Sequence, residues 1–224
     1  MKISTEIGSA ARIVGEEKAL EYLAKAGFDA WDFSMFAMWK YDWAARTYSQ
    51  TDHPLSSGQY LSFAKKLKQI GLDYGIVCNQ SHAPFPSRGP IIPYLKRALE
   101  CTAEAGGKIC IIHPDNYLSA QENAEMYFDL LPFAKECGVK IATENMWGWD
   151  ARRGCIIPSV CSYARDLADY VDALDSGYFA VCLDFGHSGL VGEETADAII
   201  TLGHDRLKAV HVHDNGYRGD DHML

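Results

Sequence analysis

No stretch of this sequence approaches the roughly 18 consecutive apolar residues of a membrane span, and no basic start leads into an apolar leader segment, so a soluble, cytoplasmic protein without a membrane partner is expected. Cations are scarce: 21 Lys and Arg against 30 Asp and Glu leave a formal charge of −9. A surface that neutralises phosphate backbones needs clustered Lys and Arg, so nucleic acid is not an expected partner. The seven cysteines contain no C-x-x-C pair and lie scattered through apolar stretches, as reduced core thiols do. Also missing are any low-complexity tract, any linker-like shift of composition, and the Gly-rich phosphate turns G-x-G-x-x-G and G-x-x-x-x-G-K-[ST].

What remains is 224 residues with 48% apolar and 23% charged content, enough for one substantial core. Helix-period stretches alternate with short β-rich runs. Stripes such as Tyr60, Ala64, Leu67, Ile70 and Tyr127, Phe128, Leu131, Ala134 have the spacing of helices facing a core. Glycines 27, 71, 107, 138, 177 and 203 stand where left-handed helix closure is expected. After them come FDAWDF, LDYGIVC, KICIIH, VKIATE, YFAVCLDF and LKAVHVHD, which read as strands buried on both faces. With Lys2 to Ile7 this predicts seven strands in alternation with six helical segments. Parallel strands joined by right-handed crossovers follow. The absent nucleotide turns disfavour a doubly wound sheet, so the expectation is one TIM (β/α)₈-type barrel domain over residues 1–224, short of the ~250 residues typical of that fold. Residues 37–57 and 147–159 are expected as loops over its mouth.

In such a barrel the chemistry sits at the C-terminal strand ends. The third to seventh strands end in Ser81-His82-Ala83-Pro84, His113-Pro114-Asp115, Glu144-Asn145, Asp184-Phe185-Gly186-His187 and His211-Val212-His213-Asp214. Singly, each has a bland reading as a hydrogen-bonded structural histidine or a helix-capping aspartate. Together, closure would crowd Glu144, Asp184 and His211 onto one rim, which is costly for two carboxylates unless a cation compensates. Strand parity puts His211 and His213 on the same side. Mixed carboxylate and imidazole donors suit Mn, Zn, Co or Mg without choosing among these divalent ions.

Through AGFDAWDF, SHAPF, IHP, ATEN, CLDFGH and HVHDNGYRGDDH the chain resembles the sugar phosphate isomerase/epimerase superfamily, the xylose isomerase-like TIM barrels. The resemblance implies one metal held by Glu144, Asp184 and His211, with His213 as rival for the third position, and a substrate contact from His187. It implies a sugar, polyol or keto-sugar substrate and proton abstraction next to a carbonyl, with Glu144 as ligand and base, His187 as acid or oxyanion partner, and a metal-stabilised enediolate. His82, His113, Glu144, Asp184, His187, His211, Asp220 and His222 also resemble the longer ligand list of endonuclease IV in the same superfamily. A multinuclear hydrolase is therefore one alternative, opposed by the acidic charge, and a non-catalytic sugar-binding relative is another. The fourth ligand, a Glu on an eighth strand, would lie past Leu224. The expectation is a C-terminally incomplete barrel, read as a fragment or ordered part in preference to a barrel closed by another chain; a homo-oligomer is a separate expectation.

Trp39 and Trp43 follow the second strand, and Trp147 and Trp149 follow Glu144. Trp39, Trp147 and Trp149 are candidate walls against the apolar face of a sugar, whereas Trp31, within a strand, reads as core. Arg152, Arg153 and Arg218 read as solvated surface charges.

Overall fold

The structure, a computed structural model, describes residues 2–223. Parallel strands form at all seven expected stretches: β1 (Ser4–Glu6), β2 (Ala30–Ser34), β3 (Val77–His82), β4 (Ile109–Ile111), β5 (Lys140–Glu144), β6 (Phe179–Asp184) and β7 (Leu207–His211). Among them run helices α1 (Gly8–Val14), α2 (Glu16–Ala26), α3 (Tyr60–Asp73), α4 (Ile92–Ala105), α5 (Ala120–Cys137), α6 (Ala164–Leu174), α7 (Phe185–Val191) and α8 (Thr195–Arg206). No helix among the described residues is long and apolar enough to cross a membrane. The chain groups into two compact units, Met1–Ile112 with Phe133–Val139, and His113–Pro132 with Lys140–Leu224.

In the first unit the ladder runs β1-β2-β3-β4, with Glu6 opposite Asp32, Ser34 opposite His82 and His82 opposite Ile111. Trp31 and Phe33 from β2, Leu20 from α2, Leu67 from α3 and Leu95 and Leu99 from α4 have no exposed surface. Burying each such side chain stabilises the fold by about 1.5–3 kcal/mol. Trp31 is core, as expected. Its fit explains a difference from the sequence reading, because Gly71 does not close α3. The helix continues to Asp73, and a Cβ at residue 71 would lie 2.8 Å from Trp31 Nε1 and 3.0 Å from the Ile76 carbonyl oxygen. That glycine serves close packing. Gly106 and Asp175, not Gly107 and Gly177, take the left-handed closures after α4 and α6. The expected loop over 37–57 contains a hairpin, Lys40–Asp42 against Thr47–Ser49.

In the second unit the ladder runs β5-β6-β7. Every residue of β6 is buried, as a strand flanked on both edges and both faces should be. β7 departs from the doubly buried expectation: half-buried residues alternate with the exposed Lys208 and Val210. Tyr127 of α5 anchors the core beneath β5 and β6, its ring 4.8 Å from that of Phe179 and its hydroxyl 2.9 Å from Thr143 Oγ1. The stretch 147–159 is likewise a hairpin, Trp147–Asp150 against Cys155–Pro158.

Candidate metal centre

Register brings the chemistry of the second unit together. Glu144 stands opposite Cys182, and His211 opposite Asp184. Residues 182 and 184 share a face because side chains alternate along a strand, so all four side chains project to one side. The β6/β7 pairing carries an irregularity that this depends on: Val181 pairs with Leu207 but Cys182 pairs with Ala209, leaving Lys208 as an extra residue. Without that bulge Val210, not His211, would face Asp184, since a slip of one residue turns every side chain to the other face.

Glu144 and Asp184 are both almost completely buried. Glu144 Oε1 lies 3.1 Å from His211 Nδ1, and Oε2 lies 3.1 Å from His113 Nε2. Burial disfavours the carboxylate charge, but the His211 and His113 charges outweigh it and hold Glu144 well below the usual carboxylate range. Asp184 divides its oxygens. Oδ1 accepts from the His187 backbone N–H at 2.7 Å and so caps α7, while Oδ2 lies 3.0 Å from His213 Nε2 and 3.7 Å from His211 Nδ1. The capping role of this residue therefore occupies one oxygen, and the expected ligand role concerns the other. His211 meets both carboxylates through one nitrogen, and its Nε2 lies 3.5 Å from Cys182 Sγ. Burial opposes a charge on His187, yet its hydrogen bond to Asp220 and the Glu144 and Asp184 charges raise it to about 9.

A second part of the cluster comes from the segment after β7. Backbone hydrogen bonds of 2.8 Å in both directions between Asp214 and Met223 close a loop. In it Asp220 Oδ2 lies 3.2 Å from His187 Nε2 and 3.2 Å from His222 Nε2. His222 adopts φ +48°, a left-handed backbone that costs a non-glycine residue about 1–3 kcal/mol, and its ring stacks on His213 at 4.1 Å. Gly186 leaves the room that His213 occupies, since a Cβ there would overlap the imidazole.

The donor set fits a divalent ion. Metal–ligand bonds of about 2.0–2.2 Å separate neighbouring donors by about 3–3.6 Å, and the separations at His211 Nδ1, 3.1 Å to Glu144 and 3.7 Å to Asp184, are of that size. Glu144, Cys182 and His211 form one candidate donor group, Asp184, His187 and His213 a second, and His213, Asp220 and His222 a third. Asp220 Oδ1 is buried without a hydrogen bond, 3.6 Å from His213 Nε2. Cys182 entered the sequence reading only as a core thiol, and nothing in its spacing marks it as a neighbour of His211.

His82, at the end of β3 in the first unit, has Nδ1 3.0 Å from Asp32 Oδ1, and Gln80 Nε2 donates to Asp32 Oδ2 at 2.7 Å. Asp32 was missed because it sits inside FDAWDF, away from a strand end. Trp39 packs against Tyr94, with ring centroids 3.5 Å apart, inside an aromatic cluster of the first unit. Trp147 and Trp149 lie two apart on one strand of the second hairpin; Trp147 is half-buried and Trp149 exposed. Arg152, Arg153 and Arg218 are exposed.

The family described as xylose isomerase-like TIM barrel matches residues 20–223. The uncharacterized protein y4fM of Sinorhizobium fredii is 28% identical over 144 residues, 59% of this chain and 43% of its own length. The match thus spans less than half of that relative. A D-tagatose 3-epimerase-like protein of known structure superposes with a TM-score of 0.73 at 19% identity, over 99% of this chain and 79% of its own. The 3-keto-D-glucoside 4-epimerase of E. coli does so with 0.69 at 16% identity, over 96% and 80%. At these identities the likeness is one of fold.

Proposed function

This chain belongs to the xylose isomerase-like TIM barrel family, and from that premise we propose that it is a metal-dependent sugar isomerase or epimerase acting at the carbon next to a carbonyl. The observation that carries the reading is the buried meeting of Glu144 with His113 and His211 beside Asp184. The solved structures that share the fold include a D-tagatose 3-epimerase-like protein and a 3-keto-D-glucoside 4-epimerase, which supports a carbohydrate substrate. Glu144, Asp184 and His211 are the residues that would hold the ion. When bound there, a divalent ion polarises a carbonyl and a neighbouring hydroxyl, which lowers the barrier to losing the adjacent proton.

Glu144 is the base. Its depressed pKa keeps it ionised at neutral pH, and burial excludes water from competing for the proton it takes. His187 carries the opposite role. Held protonated at neutral pH with a pKa raised to about 9, it donates toward the substrate oxygen that gains charge. Trp147 and Trp149 offer a wall for the apolar face of a sugar ring.

The test is hydrogen exchange. With keto-sugars in deuterated water, the wild-type protein should incorporate deuterium at the carbon beside the carbonyl, and Glu144→Gln should lower that rate by about 10²–10⁴-fold, the usual worth of a positioned base. Undiminished exchange in the variant overturns the assignment. One observation favours a second reading, metal-dependent phosphodiester hydrolysis: His213, Asp220 and His222 provide donors beyond those one ion needs. Several ions per chain together with cleavage of an abasic-site duplex would establish that reading instead.

A further inference from the structure

Asn145 is the first residue past β5, fully buried, and its side chain continues the sheet where the backbone of β5 has ended. The Asp184 N–H donates to Asn145 Oδ1 at 2.7 Å, and Asn145 Nδ2 donates to the Asp184 carbonyl at 2.9 Å. The amide thus makes the two hydrogen bonds that a neighbouring strand would make with the backbone N–H and C=O of that residue. The same Nδ2 reaches Ser188 Oγ at 3.1 Å on the first turn of α7, and Ser188 Oγ itself donates to the Asp184 carbonyl at 3.1 Å. From its backbone, Asn145 offers a carbonyl oxygen 2.7 Å from His187 Nδ1. A carbonyl can only accept, so Nδ1 carries the hydrogen and Nε2 is the nitrogen presented to Asp220.

One buried amide residue therefore references the backbone of Asp184, the start of α7 and the ring of His187. We propose that Asn145 is a positioning residue of the metal centre, holding the Asp184 carboxylate in ligand geometry and fixing His187 with hydrogen on Nδ1. The inference rests on the reading of Asp184 as a metal ligand. It is separate from the base role of Glu144, because the Asn145 amide bonds to Asp184 and Ser188, whereas the base role belongs to the Glu144 carboxylate. An amide is the side chain that fits: the isosteric carboxylate would set an acceptor against the Asp184 carbonyl and against the hydroxyl of Ser188.

Asn145→Asp keeps the shape and reverses the donor. With circular dichroism reporting an intact fold, Mn²⁺ affinity by calorimetry should fall about 10–100-fold, as for loss of outer-shell partners elsewhere, and the visible absorption of the Co²⁺-loaded protein should shift. Wild-type affinity and an unchanged Co²⁺ spectrum in the folded variant overturn the proposal. A second measurement needs no variant: ring ¹⁵N shifts of His187 in the metal-free wild-type chain, recorded above its pKa of about 9 where the ring is neutral, must report a hydrogen on Nδ1 and a lone pair on Nε2, and the opposite tautomer overturns the proposal even if Asn145→Asp fails to fold. The two ideas fail separately. Weakened Mn²⁺ binding in Asn145→Asp alongside a wild type that exchanges no carbon-bound hydrogen removes the isomerase reading and keeps Asn145 in its role, whereas loss of exchange in Glu144→Gln with full Mn²⁺ affinity in Asn145→Asp does the reverse.

Discussion

Glu144 and Asp184 arrive on strands, with side chains 3% exposed; Asp220 and His222 arrive on a loop, with side chains 24% and 67% exposed. Both pairs take part in carboxylate–imidazole contacts at about 3 Å, yet the physics that holds them differs. The strand-borne groups are fixed by ladder register, by the bulge at Lys208 and by the amide of Asn145. The loop-borne groups depend on the paired hydrogen bonds between Asp214 and Met223 and on a left-handed residue at 222. A buried charge without its partner is costly, while a partly solvated one finds water. The strand side is thus the rigid half of the cluster and the loop side its adjustable half.

The largest consequence is a difference in stability. Glu144→Gln leaves His113 and His211 facing a neutral amide in a site closed to water, and should destabilise the metal-free protein by about 3–5 kcal/mol in urea denaturation at pH 7. Asp220→Asn, at a partly solvated position, should cost about 1 kcal/mol or less. Equal costs would erase the distinction between the two halves.

A smaller effect links them through His187. Its pKa is raised from 6.5 to about 9 against the opposition of burial, chiefly by the hydrogen bond it donates to Asp220 and then by the charges of Glu144 and Asp184. Because the folded value lies above the unfolded one, the protonated ring's contribution is fully present below pH 6.5 and is lost as pH rises through about 9. The shift corresponds to at most about 3 kcal/mol. Chelator-treated protein should therefore lose stability between neutral pH and pH about 9, and Asp220→Asn should flatten that slope. A slope unaltered in Asp220→Asn means the loop does not reach the strand side in solution.

The strand side was also the more legible from sequence, and for the same physical reason. Doubly buried parallel strands read as apolar runs, so β2 through β6 and the polar residues at their ends could be located by eye, and parity placed His211 and His213 together. Contacts that depend on irregularity could not be read. The extra residue Lys208 decides which residue faces Asp184, yet LKAVHVHD alternates in a way that gives no sign of a bulge. Asn145 stood in view as half of Glu144-Asn145, but its exchange of two hydrogen bonds with a peptide 39 positions away is a tertiary event. Helix closures were partly misassigned because a glycine needed for a close approach, such as Gly71 against Trp31, has the same letter as one needed for positive φ.

His213 joins the two halves, with Nε2 3.0 Å from Asp184 Oδ2 on one side and its ring stacked on His222 on the other. Gly186→Ala tests whether it is held there. In an ordinary helix this substitution stabilises by about 1 kcal/mol, since alanine has the higher helix propensity, and residue 186 has no positive φ to forbid a side chain. Here the added methyl would occupy the volume of the His213 imidazole, and relieving such an overlap costs about 1–3 kcal/mol. Destabilisation of that size, with altered ring resonances of His213 and His222 and an unaltered environment at Glu144, would show a cluster whose loop half can be displaced while its strand half stays in register. Stabilisation by about 1 kcal/mol would instead mean that His213 does not rest against α7, and that the loop-borne donors belong to a separate site.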